Sequence, residues 1–527
     1  MKKVLALILV VLMALPLLVA CVGGSGDPAT TTTVGGAEGT GEPGADNTTA
    51  GPGNSGTPEG EGTTTGGNAN IPGGDVPGGE VVEEESIIPE GTDYSGFTFK
   101  VLSRVSDQAT GWGNYDIIYD EASELVVTEI KDAIRDRNDA LYENLGVDVE
   151  QITGGFSQAQ TSLLNGTYEY DMIIIPVADA AKLAQTGLLC STDELSYMDT
   201  TKSYYDQNAI NELAIKGKNY FFFSDITVVN LDATWLFYFN HSMVEKYGLD
   251  KPYELLADDA WTVDKLLSMA EASTEDPSST SKDLDWGLAG HQDLIGSLYV
   301  GSGERIAKAT EGGYELTMNT DRLTRLMETA VKIRPYWARY SISSLTSSEH
   351  VLSAKNDNYT GLMNFYSSGK VLFMAEVLAA ARDLTYTETE LNIGILPCPM
   401  FDDTQDRYYT PVNDIAGITC VPAYIDDKDR NGLIIEYWAA KSHNTLIPAY
   451  YEQAQKSRFA KDEISPDVLD EIFAARTYDV GVMYGWGSLY DQVTALMYDG
   501  STSFASKWRI YGTMAQKDID EFIESFE

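Results

Sequence analysis

The chain has 527 residues and a formal net charge of -44 at neutral pH. That length allows a large core and more than one typical domain. The charge leaves no basic stripe to release counterions from a phosphate backbone, so nucleic acid is excluded as the expected partner; it also disfavours an anionic ligand except beside a local arginine.

The chain begins as an export signal. Lys2 and Lys3 supply a positive start, and Val4 to Leu18 supply an apolar stretch of about 15 residues, shorter than the ~20 a spanning helix needs. The sequence Leu18-Val19-Ala20-Cys21 resembles the lipobox of bacterial lipoproteins. The resemblance implies that residues 1–21 are a lipoprotein signal and that the Cys21 thiol carries a diacylglycerol, so that acyl chains such as palmitate anchor the mature N-terminus. Two acyl chains hold stably where one binds marginally. An ordinary signal with an incidental cysteine remains the alternative.

Residues 22–90 contain no aromatic residue and no Lys or Arg, only a Gly-, Thr- and Pro-rich acidic composition. Such a segment cannot bury enough apolar surface to offset chain entropy, and reads as a disordered linker. A coil of that length reaches about 45–50 Å. No later apolar run is long enough to span a bilayer.

From Gly91 onward the pattern turns to alternating elements. "FTFKVLSR" reads as a strand through Phe97, Phe99 and Val101. The next stretch has helical spacing, with Val127, Ile130, Ile134 and Leu141 on one stripe and Gly146 as the stop. Val147, Val149 and Ile152 begin a second strand, and "MIIIP" (Met172 to Pro176) is a buried third one followed by a helix. This βαβ series predicts a parallel sheet covered by helices. A second unit starts near Asp232: "ATWLFYFN" as a buried strand, a short helix closed at Gly248, and a helix capped by Thr262. "GKVLFMAEV" and "LNIGILPCP" read as further strands around a helix "LAAARDL". Four helical stretches end the chain: "GLIIEYWAAKS", "PAYYEQAQKSRFA", "SPDVLDEIFAAR" and "DIDEFIESF".

In order along the chain stand "RNDALYENLGVDVE", "YEYDMIIIP" with "GLL" after it, "NAINELAIKGKNYFF", "FYFNHSMVEKYGLDKPYELLADDAWTVDKLL" and "GKVLFMAEV…IGILPCPMFDDTQDRYYT". This ordered set resembles the extracellular solute-binding proteins of ATP-driven (ABC) importers, in the large group that includes many sugar binders, and covers Phe97 to about Tyr490. The resemblance implies an α/β fold of the periplasmic-binding-protein type II, with two lobes, an interlobe cleft and a hinge. Lobe 1 would take 91–231 plus 401–458, and lobe 2 would take 232–400 plus 459–527. The implied function is capture of a small polar solute, a sugar or oligosaccharide foremost, by hinge closure and its delivery to ABC permease subunits. It would act as a monomer lipid-anchored at the outer face of the bacterial cytoplasmic membrane. Closure follows only from contacts that favour the closed form.

Ligands of open α/β sheets sit at the carboxyl ends of strands. That rule nominates Arg104 and Trp112 after the first strand, Asp179 after the third, Asp232 and Trp235 at the crossing between lobes, Glu376 after "KVLFMA", Asp414 on the return, and Tyr484 and Trp486 in the glycine-flanked "MYGWGSLYD". Sugars suit such groups, since apolar C–H faces pack on aromatic rings and hydroxyl rims seek charged or amide partners. Trp261, opening a helix, reads as core.

Other chemistry is thinly represented. "DDKDRNG" imitates a calcium loop but has Trp438 where a bidentate Glu belongs, so a turn capping the next helix is expected. The four histidines, His241, His291, His350 and His443, form no HExxH pair, and no CxxC, GxSxG or phosphate loop is present. No metal and no cofactor are expected. If Cys21 is lipidated, Cys190, Cys398 and Cys420 are expected as separate buried thiols, a Cys398–Cys420 bridge being the alternative. A surface glycosidase, whose paired carboxylates would turn over the sugar, and a sensor or adhesin lipoprotein remain the rival functions.

Overall fold

The computed structural model describes residues 82–104, 113–119, 126–318, 320–340, 359–385, 391–456 and 466–526. Cys21 and Trp112 lie outside the described residues. The described strands, in chain order, are β1 (Phe97–Ser103), β2 (Val147–Thr153), β3 (Met172–Pro176), β4 (Phe221–Phe222), β5 (Trp235–Asn240), β6 (Trp286–Gly290), β7 (Ala307–Thr310), β8 (Gly313–Leu316), β9 (Trp337–Arg339), β10 (Val371–Val377), β11 (Ile393–Leu396), β12 (Thr410–Pro411), β13 (Gly417–Cys420) and β14 (Arg476–Thr477). They form two five-stranded sheets, β2-β1-β3-β13-β4 and β11-β5-β10-β6-β9, and two small pairs, β7-β8 and β12-β14.

The first sheet begins as expected, with β2 and β3 both parallel to β1. It does not stay parallel. β13 runs antiparallel to β3 and to β4, because the chain enters it on its return from the second sheet rather than through a crossover helix. Alternation along β3 explains its burial on both faces. Ile173 and Ile175 join one apolar cluster, while Met172 and Ile174 join another with Leu141 and Trp438 from the covering helices. Helix Thr128–Leu145 buries Ile130, Ile134 and Leu141 and stops at Gly146, whose φ of 71 is the left-handed turn glycine tolerates. Val127 stays outside that stripe; it is the residue before the helix and 37% exposed.

Helix Lys428–Lys456 runs unbroken where two helices were expected, with Pro448 inside it. Leu446, Ile447, Tyr450 and Tyr451 are buried on both sides of the proline, and that packing outweighs the lost ladder bond. Its start is the calcium-like turn: Asp427 Oδ1 accepts the Arg430 amide at 2.9 Å. The packed body also begins earlier than the expected end of the linker. Val82 exchanges two hydrogen bonds with the Asn444 side chain, at 3.0 and 2.8 Å, and Val82, Ile87 and Ile88 pack on the first sheet's cluster.

In the second sheet β5 is antiparallel to β10 and β11, and β6 is parallel to β10 and β9. Thr262 caps helix Val263–Ser273 through Lys265 N as expected. Trp261 is fully buried, its Nε1 donating to Pro397 O at 2.9 Å. β6 lies so close to that helix that a Cβ on Gly287 would collide with the Ala270 backbone. Gly287→Ala is therefore expected to lower stability by about 1–3 kcal/mol, read as a fall in the urea midpoint; an unchanged midpoint would show that the helix can move away. Cys190, Cys398 and Cys420 are buried free thiols.

Candidate functional site

Two stretches of chain connect the sheets, and they lie side by side. Thr234 and Val412 form an antiparallel bridge, and Asn413 N donates to Ala233 O at 2.9 Å. The outgoing stretch is fastened by Asp232. Its Oδ2 accepts from Tyr115 Oη and from Arg382 Nη1, both at 2.7 Å, and its Oδ1 accepts from Tyr450 Oη at 2.9 Å. These partners come from the segment after β1, the helix after β10 and the long helix Lys428–Lys456. All of Asp232's strong bonds are thus made within the protein. Trp235 opens β5 opposite Val377 and is 8% exposed.

The carboxyl ends of β6 and β10 carry a different kind of group. Glu376, one residue from the end of β10, is 5% exposed. Its Oε1 accepts only the neighbouring Val377 amide, and its Oε2 stands 3.9 Å from His291 Nε2. His291 follows β6 directly and is 2% exposed; among the described residues neither ring nitrogen makes a well-formed hydrogen bond, the Tyr340 backbone acting on it only weakly. Asp293 lies in the first turn of helix Asp293–Gly301. Tyr490 packs across that helix, so that a Cβ on Gly296 would strike its hydroxyl.

The electrostatics follow from burial and like charge. Burial, aided by Asp293 and Asp383, pushes the Glu376 carboxyl up to about 8. Burial and the neighbouring Asp414 raise Asp293 to about 6. Burial drives His291 down to about 4, so its imidazole is neutral at pH 7. Asp414 is itself raised by burial and by Asp491.

A second set of groups lies at the carboxyl end of the first sheet. Arg104, just past β1, donates from Nη2 to Ile415 O at 2.5 Å. Burial lowers its pKa, and Asp179 counteracts that. Asp179 sits in the first turn after β3 and pairs with Lys182 at 2.8 Å. The return stretch thus meets Arg104 at Ile415, and Asp414 beside it acts on Asp293 through its charge.

Arg104 and Asp179 stand at the carboxyl end of the first sheet, Glu376 at that of the second, and Asp414 on the return stretch between them. Asp232 and Trp235 stand at the crossing, in fastening and packing. Tyr484 and Trp486 sit elsewhere, in a cluster with Tyr314 and Phe522 at centroid distances of 5.0 to 6.3 Å, where Trp486 is 4% exposed. The groups near these strand ends that the sequence did not point to are His291, Asp293 and Tyr490. A strand recognised at "WGLAG" would have pointed to the first two, since both lie just beyond its carboxyl end.

Residues 126–335 match the family model described as bacterial extracellular solute-binding protein. Among curated protein sequences, none matches. Two solved structures align along most of the chain. The GacH receptor of Streptomyces glaucescens GLA.O, solved unliganded and with acarbose and an acarbose homolog, is 15% identical with a TM-score of 0.50, covering 82% of this chain and 99% of its own. A cyclo/maltodextrin-binding protein complexed with maltotetraose is 13% identical with a TM-score of 0.51, covering 82% and 97%.

Paired sheets joined by a double crossing, and the likeness to these structures, define a two-lobed α/β fold of the periplasmic-binding-protein type. Within it, residues 126–335 carry the pattern of the bacterial extracellular solute-binding proteins. That family is made of binding proteins, not enzymes.

Proposed function

We propose that this chain captures a polyhydroxylated solute, a sugar or oligosaccharide, between the strand ends described above and delivers it to ABC permease subunits. The observation that carries the reading is the buried pair Glu376 and His291, 3.9 Å apart, with no well-formed hydrogen bond to either His291 ring nitrogen among the described residues. Leaving such groups unsatisfied costs free energy that a ligand recovers. A hydroxyl suits this pair because it both donates and accepts, and so satisfies a carboxyl and a neutral imidazole together. Arg104, Asp179 and Asp414 belong to the same proposed lining, with Asp293 and Tyr490 added. Trp112 keeps its place as an expected contact outside the described residues. Asp232 and Trp235 are assigned to the hinge beneath, and Tyr484 and Trp486 to packing.

The tether reading extends the proposal. Cys21 would carry the lipid anchor at the outer face of the cytoplasmic membrane, and the segment before Val82 would let a monomeric body reach both solute and permease. No described helix is long and apolar enough to cross a membrane. Lobe 1 would centre on the first sheet and lobe 2 on the second. The bound solutes of the two similar structures, acarbose and maltotetraose, support the choice of carbohydrate as the first class to test.

The test is a thermal and calorimetric screen of oligosaccharides, polyols and peptides. A solute at one hundred times its Kd is expected to stabilise the protein by about 2.7 kcal/mol. Binding should be one to one, with no conversion of the solute and a smaller radius of gyration by solution scattering. A carbohydrate that is consumed, or a bound state no more compact than the free one, overturns the reading.

A further inference from the structure

The two sheets also meet away from the strand ends assigned to the solute. In the first sheet Arg104 follows β1 and Asp179 follows β3; the return stretch enters at β13, and β4 lies beyond it. Past β4 stand Tyr205, bridged to Ser224, and helix Gln207–Glu212. In the second sheet Glu376 and His291 stand at β10 and β6; the outgoing stretch enters at β5, and β11 lies beyond it. The chain leaving β11 forms β12, which is flanked by β14. On both sheets the crossing strands therefore separate the solute groups from a further set of elements. Those elements bond to one another. Glu212 accepts from Tyr478 N at 2.5 Å and from Thr477 Oγ1 at 3.1 Å, and Asp206 pairs with Arg476 at 2.9 Å. Farther along the loop after Glu212, Ala214 O accepts from Tyr314 Oη of β8 at 3.0 Å, and the Tyr220 ring stands 5.4 Å from that of Phe526. β8 and Phe526 are held to the second sheet in turn. Phe522 meets Tyr314 at 6.0 Å, Lys507 Nζ of the same last helix donates to Gln492 Oε1 of helix Leu489–Asp499 at 3.0 Å, and Tyr498 of that helix meets Trp337 of β9 at 5.3 Å. Among the described residues no hydrogen bond joins Arg104 or Asp179 to Glu376, His291 or Asp293.

We propose that the outer part of this second contact, Tyr314 on Ala214 and Phe526 on Tyr220, holds the two lobes apart and parts when they close, so that these residues set the affinity for solute without touching it. This rests on the reading that the crossing stretches are a hinge for capture. A body that rocks about a crossing brings the elements on one side together only by drawing those on the other side apart. Glu212 and Asp206, bonded to β14 beside the return stretch, lie near the pivot and move least; Tyr314 and Phe526 lie farther along and move most. The bonds they make favour the open form alone, and every closure must break them. The apparent affinity of a protein that binds in its closed form follows the closed fraction of the free protein. Weakening the outer contact raises that fraction, and with it the affinity.

The experiment is calorimetry on the full chain with two probes, acarbose and maltotetraose. It compares the wild type with Tyr314→Phe, Phe526→Ala and the two changes together. Each single variant is expected to bind about fivefold tighter, the fold-change of one ordinary hydrogen bond or aromatic pair, and the double variant tighter still. Tyr336→Phe is the control: it removes a bond to Glu271 Oε1, at 2.9 Å, that joins two residues of the second sheet's side, and its affinity should be unchanged. A contact that merely supported the fold would leave binding unchanged or weaken it, so tightening is the readout that separates the two roles. Thermal unfolding verifies that each variant is folded, and the chain-end variant Phe526→Ala stands alone if Tyr314→Phe is not. Equal or weaker binding by the variants overturns the inference and leaves the carbohydrate reading standing. Equal tightening by Tyr336→Phe also overturns it. Binding by a variant of a probe that the wild type does not hold supports it. Binding of neither probe to any form overturns both.

Discussion

Asp232→Ala is expected to lower the stability of the protein by about 3–5 kcal/mol, the loss that follows when one member of a buried charged pair is removed. Asp232 is 5% exposed and is the shared acceptor for Tyr115, Tyr450 and Arg382. Without it the Arg382 guanidinium, over the Tyr115 ring at 5.2 Å, keeps its charge in a largely buried place and loses the carboxylate that holds it at 2.7 Å. Tyr450→Phe removes a single bond to the same oxygen set and should cost only about 1 kcal/mol. The double change Asp232→Leu with Arg382→Met should recover much of the loss, because desolvating a charged pair opposes the attraction within it. Urea unfolding at pH 7 measures all three. A loss below about 1 kcal/mol in Asp232→Ala would mean that water replaces the carboxylate and that the crossing is not fastened there. The placement gives the result a functional side as well. The outgoing stretch is the only part of the chain whose backbone is tied to both the return stretch, through Ala233, and the end of β10, through Leu378 and Ala379 among the described residues.

What the sequence revealed and what it hid divide along the range of the forces involved. β3, Gly146 and the Thr262 cap were legible because each is written in a few neighbouring residues: an apolar run, a left-handed stop, a side-chain acceptor before a helix. The place of Glu376 near the end of a strand was legible as well, since "GKVLFMAEV" is an obvious one. β6 was not. Its sequence Trp286-Gly-Leu-Ala-Gly290 has no β-branched residue, and its Gly287 answers to a helix backbone that no local pattern announces. The antiparallel β13 depends on where the chain comes from, which is a fact of topology. Tyr484 and Trp486 show a third kind of difficulty. Gly485 and Gly487 do hold positive φ, 68 and 58, as a presenting loop would. Gly487 is there for another reason: a Cβ on it would sit 2.5 Å from Tyr511 O and 2.8 Å from Ala515 Cβ. The glycines bring the chain down onto helix Phe504–Glu524, and the rings are packed rather than offered.

Glu376→Gln is expected to stabilise the protein while weakening its hold on solute, and the pH dependence identifies the cause. In the unfolded chain a glutamate ionises near 4.5; in the fold burial pushes Glu376 up to about 8. The folded state therefore binds a proton that the unfolded state has released across that whole interval, and stability falls as pH rises from 4.5 to 8. Each unit of separation corresponds to about 1.4 kcal/mol, so the burden at pH 7 is about 3 kcal/mol. Glutamine has nearly the same shape and no proton to lose. The variant should match the wild type near pH 4, exceed it by about 3 kcal/mol at pH 7, and gain no more above pH 8. Asp293, raised to about 6, acts with the same sign but is complete by pH 6. His291, held down to about 4, acts oppositely: the unfolded chain takes up its proton first, and stability falls as pH drops from 6.5 toward 4. Urea unfolding of wild type and variant at pH 4, 7 and 8.5 separates the three. A variant less stable than the wild type at pH 8.5 would mean that the carboxylate is welcomed by the fold and that the site carries no such burden. If the gain is found, the reason a protein keeps this glutamate lies outside its own stability. The free energy withheld from folding is available to whichever solute brings Glu376 a partner, and that difference between the filled and empty site is what closure can draw on.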